Sequence, residues 1–146
     1  MARSRTVGVD DFARGMEDIL SEVAAVGRLG AREAVVTGTK EGAKAWRKGA
    51  RSAFPPGRTY RKHGEEYTSG AYSKSIRSHI TDRSGDHPRG EVGSPKMPGL
   101  PHLLEFGHAR VGGGRVEGRL HVAPAAEVAF DAAEKAAMDA IAENLK

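Results

Sequence analysis

Residues 101–115, PHLLEFGHARVGGGR, hold the groups best suited to chemistry: His102, Glu105 and His108, at spacings of three and three. On a helix that spacing places all three on one side, and imidazole and carboxylate are ordinary zinc ligands. The metalloprotease pattern, however, is H-E-x-x-H, with the histidines four apart and the glutamate as general base. Here the histidines are six apart, and Gly107 stands where a helix would end, before His108. A carboxylate just ahead of a glycine turn has another use, because it accepts backbone N–H bonds and fixes a loop. Glu105 is therefore expected to be structural. Leu103, Leu104 and Phe106 are read as an apolar plug, Gly107 as the turn, and His102 and His108 as flank or interface residues. A metal-dependent hydrolase built on His102, Glu105 and His108 is the weakest of the alternatives.

Other motifs give less. VGGGRVEG has glycines but not the strand before and helix after that a dinucleotide loop needs, and no G-K-[ST] element follows. Ser69, Ser73 and Ser75 have no G-x-S-x-G setting. The single tryptophan, Trp46, lies among Lys44, Arg47 and Lys48. It could stack on a base, but an anchor in a helix–helix contact is the preferred reading. No cysteine is present, which excludes disulfides and thiolate metal sites. No cofactor is expected.

Charge is more informative in its distribution than in its total of +4. Residues 1–27 carry three basic and five acidic residues, whereas residues 28–62 carry ten basic and two acidic. Lys40, Lys44, Arg47, Lys48 and Arg51 recur at helical spacing, so they share one side and are candidates to meet DNA phosphates or an acidic partner. The alternative is a solvated helix face.

These residues need elements to hold them. Phe12, Met16, Ile19, Leu20, Val23 and Val26 recur with helical period, and Asp10 or Asp11 is placed to cap the start. From Ala31 onward the periodic residues become small: Ala31, Ala34, Gly38, Gly42, Ala45 and Gly49. Each glycine inside a helix costs roughly 1 kcal/mol relative to alanine, so such a row implies that another backbone packs closely. One long helix is expected over about residues 10–50, ended by Pro55 and Pro56. At ~1.5 Å per residue it is ~60 Å long. That length suits a subunit packed against copies of itself, and Gly38, Gly42, Ala45, Trp46 and Gly49 are the expected subunit-packing residues.

GRTYRKHGEEYTSG, with Tyr60 and Tyr67, reads as a polar loop. TSGAYSKSIRSHITDRS reads as a short helix or turn and then a half-buried strand. GEVGS is a short strand, HLLEFG a helical turn, and HARVGGGRVEGRLHV two extended arms around a glycine tip. Pro124 suits the first turn of an Ala-rich last helix that carries Val128, Phe130, Met138, Ile141 and Leu145. The fold class is therefore α+β: a long N-terminal helix, a small mainly antiparallel sheet with irregular loops, and an Ala-rich C-terminal helix. Residues 1–146 form one domain, with residues 1–8 a flexible basic arm. The chain is 38% hydrophobic and 5% aromatic, so its own core is thin and neighbours in an assembly would add stability. Neither a signal peptide nor a run of about 18 apolar residues is seen, so no membrane partner is expected.

The order of elements resembles the small neck and tail-component proteins of long-tailed, non-contractile-tailed bacteriophages. The family pattern T-G-x-[LY]-x-x-S-I is matched by Thr68, Gly70, Tyr72, Ser75 and Ile76. Its hydrophobic-x-E-x-G element corresponds to Leu104, Glu105, Phe106 and Gly107, and its Pro-Ala start of the last helix to Pro124 and Ala125. His108 stands where members often have threonine, and RLHVAPA lacks the aromatic often found before the Pro-Ala. The resemblance implies a non-enzymatic virion protein, assembled in the host cytoplasm, that forms a six- or twelve-fold ring at the head–tail junction. Its implied partners are copies of itself, head-closure (stopper), tail-terminator or tail-tube proteins, and DNA passing through the lumen in transient, non-specific contact. A tail terminator or tail-completion protein is the alternative within that class. A small basic DNA-binding architectural protein is the alternative outside it.

Overall fold

A helix of 45 residues, α1 (Val9–Ala53), runs without a break through all the glycines of the small-residue row. No proline interrupts it until Pro55, and at 1.5 Å per residue it spans about 68 Å. The computed structural model describes the backbone of residues 9–57, 59–62, 65–83 and 86–145 and the side chains of residues 14–57, 70–83 and 86–145. The expected basic arm, the cap at Asp10 or Asp11 and the side chains of Phe12, Tyr60, Tyr67 and Thr68 lie outside the described residues.

After α1 come β1 (Thr59–Lys62), β2 (Glu65–Thr68), α2 (Ser69–Ser75), β3 (Arg77–Asp82), β4 (Arg89–Gly93), α3 (Leu100–Phe106), β5 (Gly107–Ala109), β6 (Arg115–Glu117) and α4 (Val122–Asn144). The class is α+β, as the sequence predicts. The strands form three separate two-stranded antiparallel ladders, β1–β2, β3–β4 and β5–β6, where a single small sheet is expected. Each strand has only three to six residues, and each ladder pairs within itself. The segment read as a polar loop is the β1–β2 hairpin, with Thr59 opposite Thr68, Tyr60 opposite Tyr67, Arg61 opposite Glu66 and Lys62 opposite Glu65. Threonine and tyrosine favour strands, and the register sets basic positions opposite acidic ones.

The second long helix, α4, lies along α1. Gly49 meets His121, Gly42 meets Ala129, Gly38 meets Ala129 and Ala133, and Gly30 meets Ile141, so the two helices run antiparallel. A Cβ on Gly42 would stand 2.8 Å from that of Ala129, and one on Gly38 would stand 2.9 Å from that of Ala133. The row does admit a second backbone, but that backbone belongs to the same chain. The assignment of Gly38, Gly42 and Gly49 to packing between subunits is therefore corrected to packing within one. Ala129, Ala133 and Ile141 face α1, and other large groups of α4 turn outward: Phe130, Met138 and Leu145 are exposed.

The core sits at the C-terminal end of α1, where Trp46, Ala50, Tyr72, Ile76 and Ala125 are buried. Ala45, Phe54, Val92, Met97, Leu100, Leu104 and Val122 pack against it. Trp46 and Ala45 thus serve the monomer core, which corrects their placement at a subunit contact and excludes base stacking by the tryptophan.

Candidate functional site

Glu105 is the one buried residue of α3. Its Oε2 accepts the backbone N–H groups of His121 at 2.8 Å and Val122 at 2.9 Å, and its Oε1 accepts that of Ala123 at 2.9 Å. These are the first amides of α4, which no residue of the same helix can satisfy. His121 occupies the N-cap position, yet its own side chain makes no capping bond. The carboxylate of another helix does that work, and a negative charge there also suits the helix dipole. Burial alone would raise the Glu105 carboxyl. The three backbone donors, with the His121 ring beside them, outweigh that and hold it below the usual carboxylate range.

A buried hydrogen-bond chain continues from this point. Trp46 Nε1 donates to the Tyr72 hydroxyl at 3.0 Å. Because indole can only donate, the Tyr72 O–H is left to donate to His121 Nε2, 2.7 Å away. His121 Nδ1 then carries the ring proton and faces the Arg119 carbonyl at 2.7 Å and Glu105 Oε2 at 2.9 Å. Each polar atom in the chain has a partner, and the rings of Phe54, Tyr72 and His121 meet edge to face around it. Burial pushes the Tyr72 phenol up to about 12. The cluster is closed and satisfied, so it holds elements together and presents no free group to a substrate.

Around this cluster the β5–β6 ladder and the segment after it are held at several points. Arg119 donates its backbone N–H to the Leu104 carbonyl at 2.8 Å and its guanidinium to the Ala53 carbonyl at 2.5 Å. Gly107 closes α3 at φ 75°, where a side chain would strike the Val116 carbonyl. Leu104, Glu105 and Gly107 therefore form the structural turn. Phe106 does not join the plug: it is 60% exposed and lies against the His102 ring, with centroids 5.0 Å apart. His108 sits on β5 opposite Val116. Among the described residues no group of three or more His, Asp or Glu side chains is gathered to hold a metal. Glu105 is committed to α4, and this overturns the triad reading of His102, Glu105 and His108. The roles of Tyr72 and His121 were not foreseen. The available signal was the short polar step His121 just ahead of an apolar helix start.

Two exposed faces remain. Lys40, Lys44, Lys48 and Arg51 are exposed on the side of α1 away from α4. Arg47 is half-buried and donates to the Ile76 carbonyl at 3.1 Å, so it is tied to the fold. The second face is an overhang. The contact of Gly30 with Ile141 lies near the end of α4, and residues 14–25 of α1 are exposed all round. Met16, Ile19, Leu20 and Val23 are 41–62% exposed along one side of this stretch. No helix among the described residues is long and apolar enough to cross a membrane. Compared with models of known protein families, with curated proteins and with solved structures, the chain matches none of them.

Proposed function

We propose that this chain is a structural subunit of a ring at the head–tail junction of a long, non-contractile-tailed bacteriophage. It would join the portal and stopper side to the tail tube, and it would act by assembly and not by catalysis. The observation that carries the assembly part is the uncovered apolar row Met16, Ile19, Leu20 and Val23. A helix that exposes such a row over several turns is built to be covered. The outward Phe130, Met138 and Leu145 of α4 add to this. The position in the virion rests on the ordered sequence motifs from Thr68 to Ala125.

Removal of the gene tests the reading. Filled heads and complete tails should accumulate unjoined, and the wild-type chain supplied in trans should restore joined particles, as seen by electron microscopy. Normal particles without the gene product would sink the proposal.

The exposed Lys40, Lys44, Lys48 and Arg51 favour a second reading of that face, an alternative to its being covered by another copy: weak phosphate contact with DNA in the lumen. Such contact should be independent of sequence, and each phosphate neutralised adds about −0.9 to the slope of log K against log salt. DNA binding by the purified chain that discriminates between sequences would instead favour the architectural DNA-binding alternative.

A further inference from the structure

We infer that the overhang of α1 docks head to tail on a second copy of this chain, against the basic outer side of that copy's α1. The inference deepens the ring reading and rests on it for closure. The contact itself is argued from the pattern of apolar and charged groups.

The apolar row of the overhang continues the α4-facing side of the helix. Met16 and Val23 stand at seven-residue steps back from Gly30, which packs on Ile141. Seven-residue steps hold one side of a helix against a neighbour, but α4 stops at Asn144. The overhang, residues 9–27, is about 28 Å long, and its described side chains have no second helix beside them.

Charge decides how a second copy would cover it. The overhang carries five acidic residues and one basic; Glu17 and Glu22 flank the apolar row, and Asp18 lies on the side opposite it. Two overhangs paired with each other would set like charge against like. The rest of α1, residues 28–53, carries seven basic residues and two acidic. An overhang laid on that segment of the next copy sets acid against base, and the opposed charges also fix its orientation. The receiving side has an apolar seat as well. Between α1 and β3 lies an open depression of about 390 Å³ whose lining includes Val36, Ile80, Lys40 and Arg83, with Glu33 and Asp82 confined to the smaller depression beside it. Such a contact uses a different patch on each partner, so repeating it gives a closed ring or a filament, not a two-fold dimer.

Sedimentation velocity of the purified chain tests this directly. The wild type should self-associate with rising concentration, and added salt should weaken the association. Leu20→Asp with Val23→Asp should weaken it about ten-fold or more, with an unchanged thermal melt. A chain with Glu17→Lys, Asp18→Lys and Glu22→Lys should not self-associate, and neither should one with Lys40→Glu, Lys44→Glu and Lys48→Glu. Mixed together, these two should associate again, since each overhang then meets a face of opposite charge. Three results would overturn the inference: a wild type that stays monomeric at high concentration, unchanged association of the Asp variant, or charge-swapped chains that fail to rescue each other. Association that survives in a chain unable to join heads to tails would count against the neck reading and leave this contact standing. Head–tail joining that survives in the Asp variant, with association lost, would overturn this contact alone.

Discussion

The two halves of α1 are one continuous helix with the same apolar spacing, yet they are made of different residues. Where α4 lies alongside, the inward positions are Gly38, Gly42 and Gly49, and the backbones close to the distance that a missing Cβ allows. Where α4 has ended, the corresponding positions carry Met16, Leu20 and Val23, and they stand in solvent. Small residues mark a partner whose backbone is already in place. Large ones leave an exposed face that, under the docking proposed above, would meet its partner through side chains, which bury far more apolar area each. Gly15 and Gly27 make the same point from the other side: a Cβ at either would meet nothing within 4 Å.

The contrast can be broken most severely at Gly42. In Gly42→Leu the new side chain has no room against Ala129, so α1 and α4 must part. The expected loss is about 3 kcal/mol or more, read as a large fall in the thermal midpoint. An unchanged melt would mean that the helices are not packed as described. Such a variant reports on folding within the subunit and so is unsuited to measuring assembly.

Next in size is Glu105→Ala, which leaves three amides at the start of α4 without their acceptor. A loss of about 2–4 kcal/mol is expected in chemical denaturation. The carboxyl is held below its ordinary value in the folded chain. Its contribution is therefore complete above the unfolded value of about 4.3 and is lost as pH falls through the lower folded value. Acid unfolding should flatten in Glu105→Gln. Equal acid sensitivity of the two chains would remove Glu105 as the cause.

Tyr72→Phe removes one oxygen and strands two buried nitrogens, Trp46 Nε1 and His121 Nε2. That should cost about 1–3 kcal/mol, and the tryptophan fluorescence should shift as its hydrogen bond is lost. A stability equal to wild type would mean that water replaces the hydroxyl. The smallest effect belongs to the overhang. Gly27→Ala should add helical signal in circular dichroism worth up to about 1 kcal/mol of local propensity, with no change in the melt of the packed half. Destabilisation there would show that the overhang is already covered within the chain.

Most elements were legible from the residues. The unbroken period from Met16 to Gly49 gave the long helix, Pro124 the start of the last one, and Gly107 the turn that ends α3. Glu105 was legible as a backbone acceptor from its place ahead of that glycine, although its target, the first turn of α4, was not. The row of small residues announced a close backbone but carried no mark of which chain supplies it. That ambiguity put Gly38 and Gly42 at the wrong interface. The β1–β2 hairpin was hidden because Arg61, Lys62, Glu65 and Glu66 read as loop polarity, whereas paired across the ladder they are complementary. Phe106 was taken for core from its type alone, and only the path of α3 turns it outward. In α4, Ala129 and Ala133 lie against Gly42 and Gly38, where the two backbones come too close for anything bigger, while Ile141 lies against Gly30.

The borrowed cap on α4 has a consequence for the order of folding. α4 follows all the other described elements in the sequence, and its first turn is secured by a carboxylate on α3. Its other partner, α1, precedes all the other described elements. Gly38 and Ala133, which touch, are separated by most of the sequence, so the central pairing is a contact of high order and closes slowly. Until then the glycine side of α1 is bare, and a glycine-rich helix without a neighbour holds its shape weakly. A chain ending at residue 121 should therefore lose much of the helical signal of α1, not just that of the missing segment. Circular dichroism of the truncated chain, with and without a peptide of residues 122–146, would show the first helix waiting on the last.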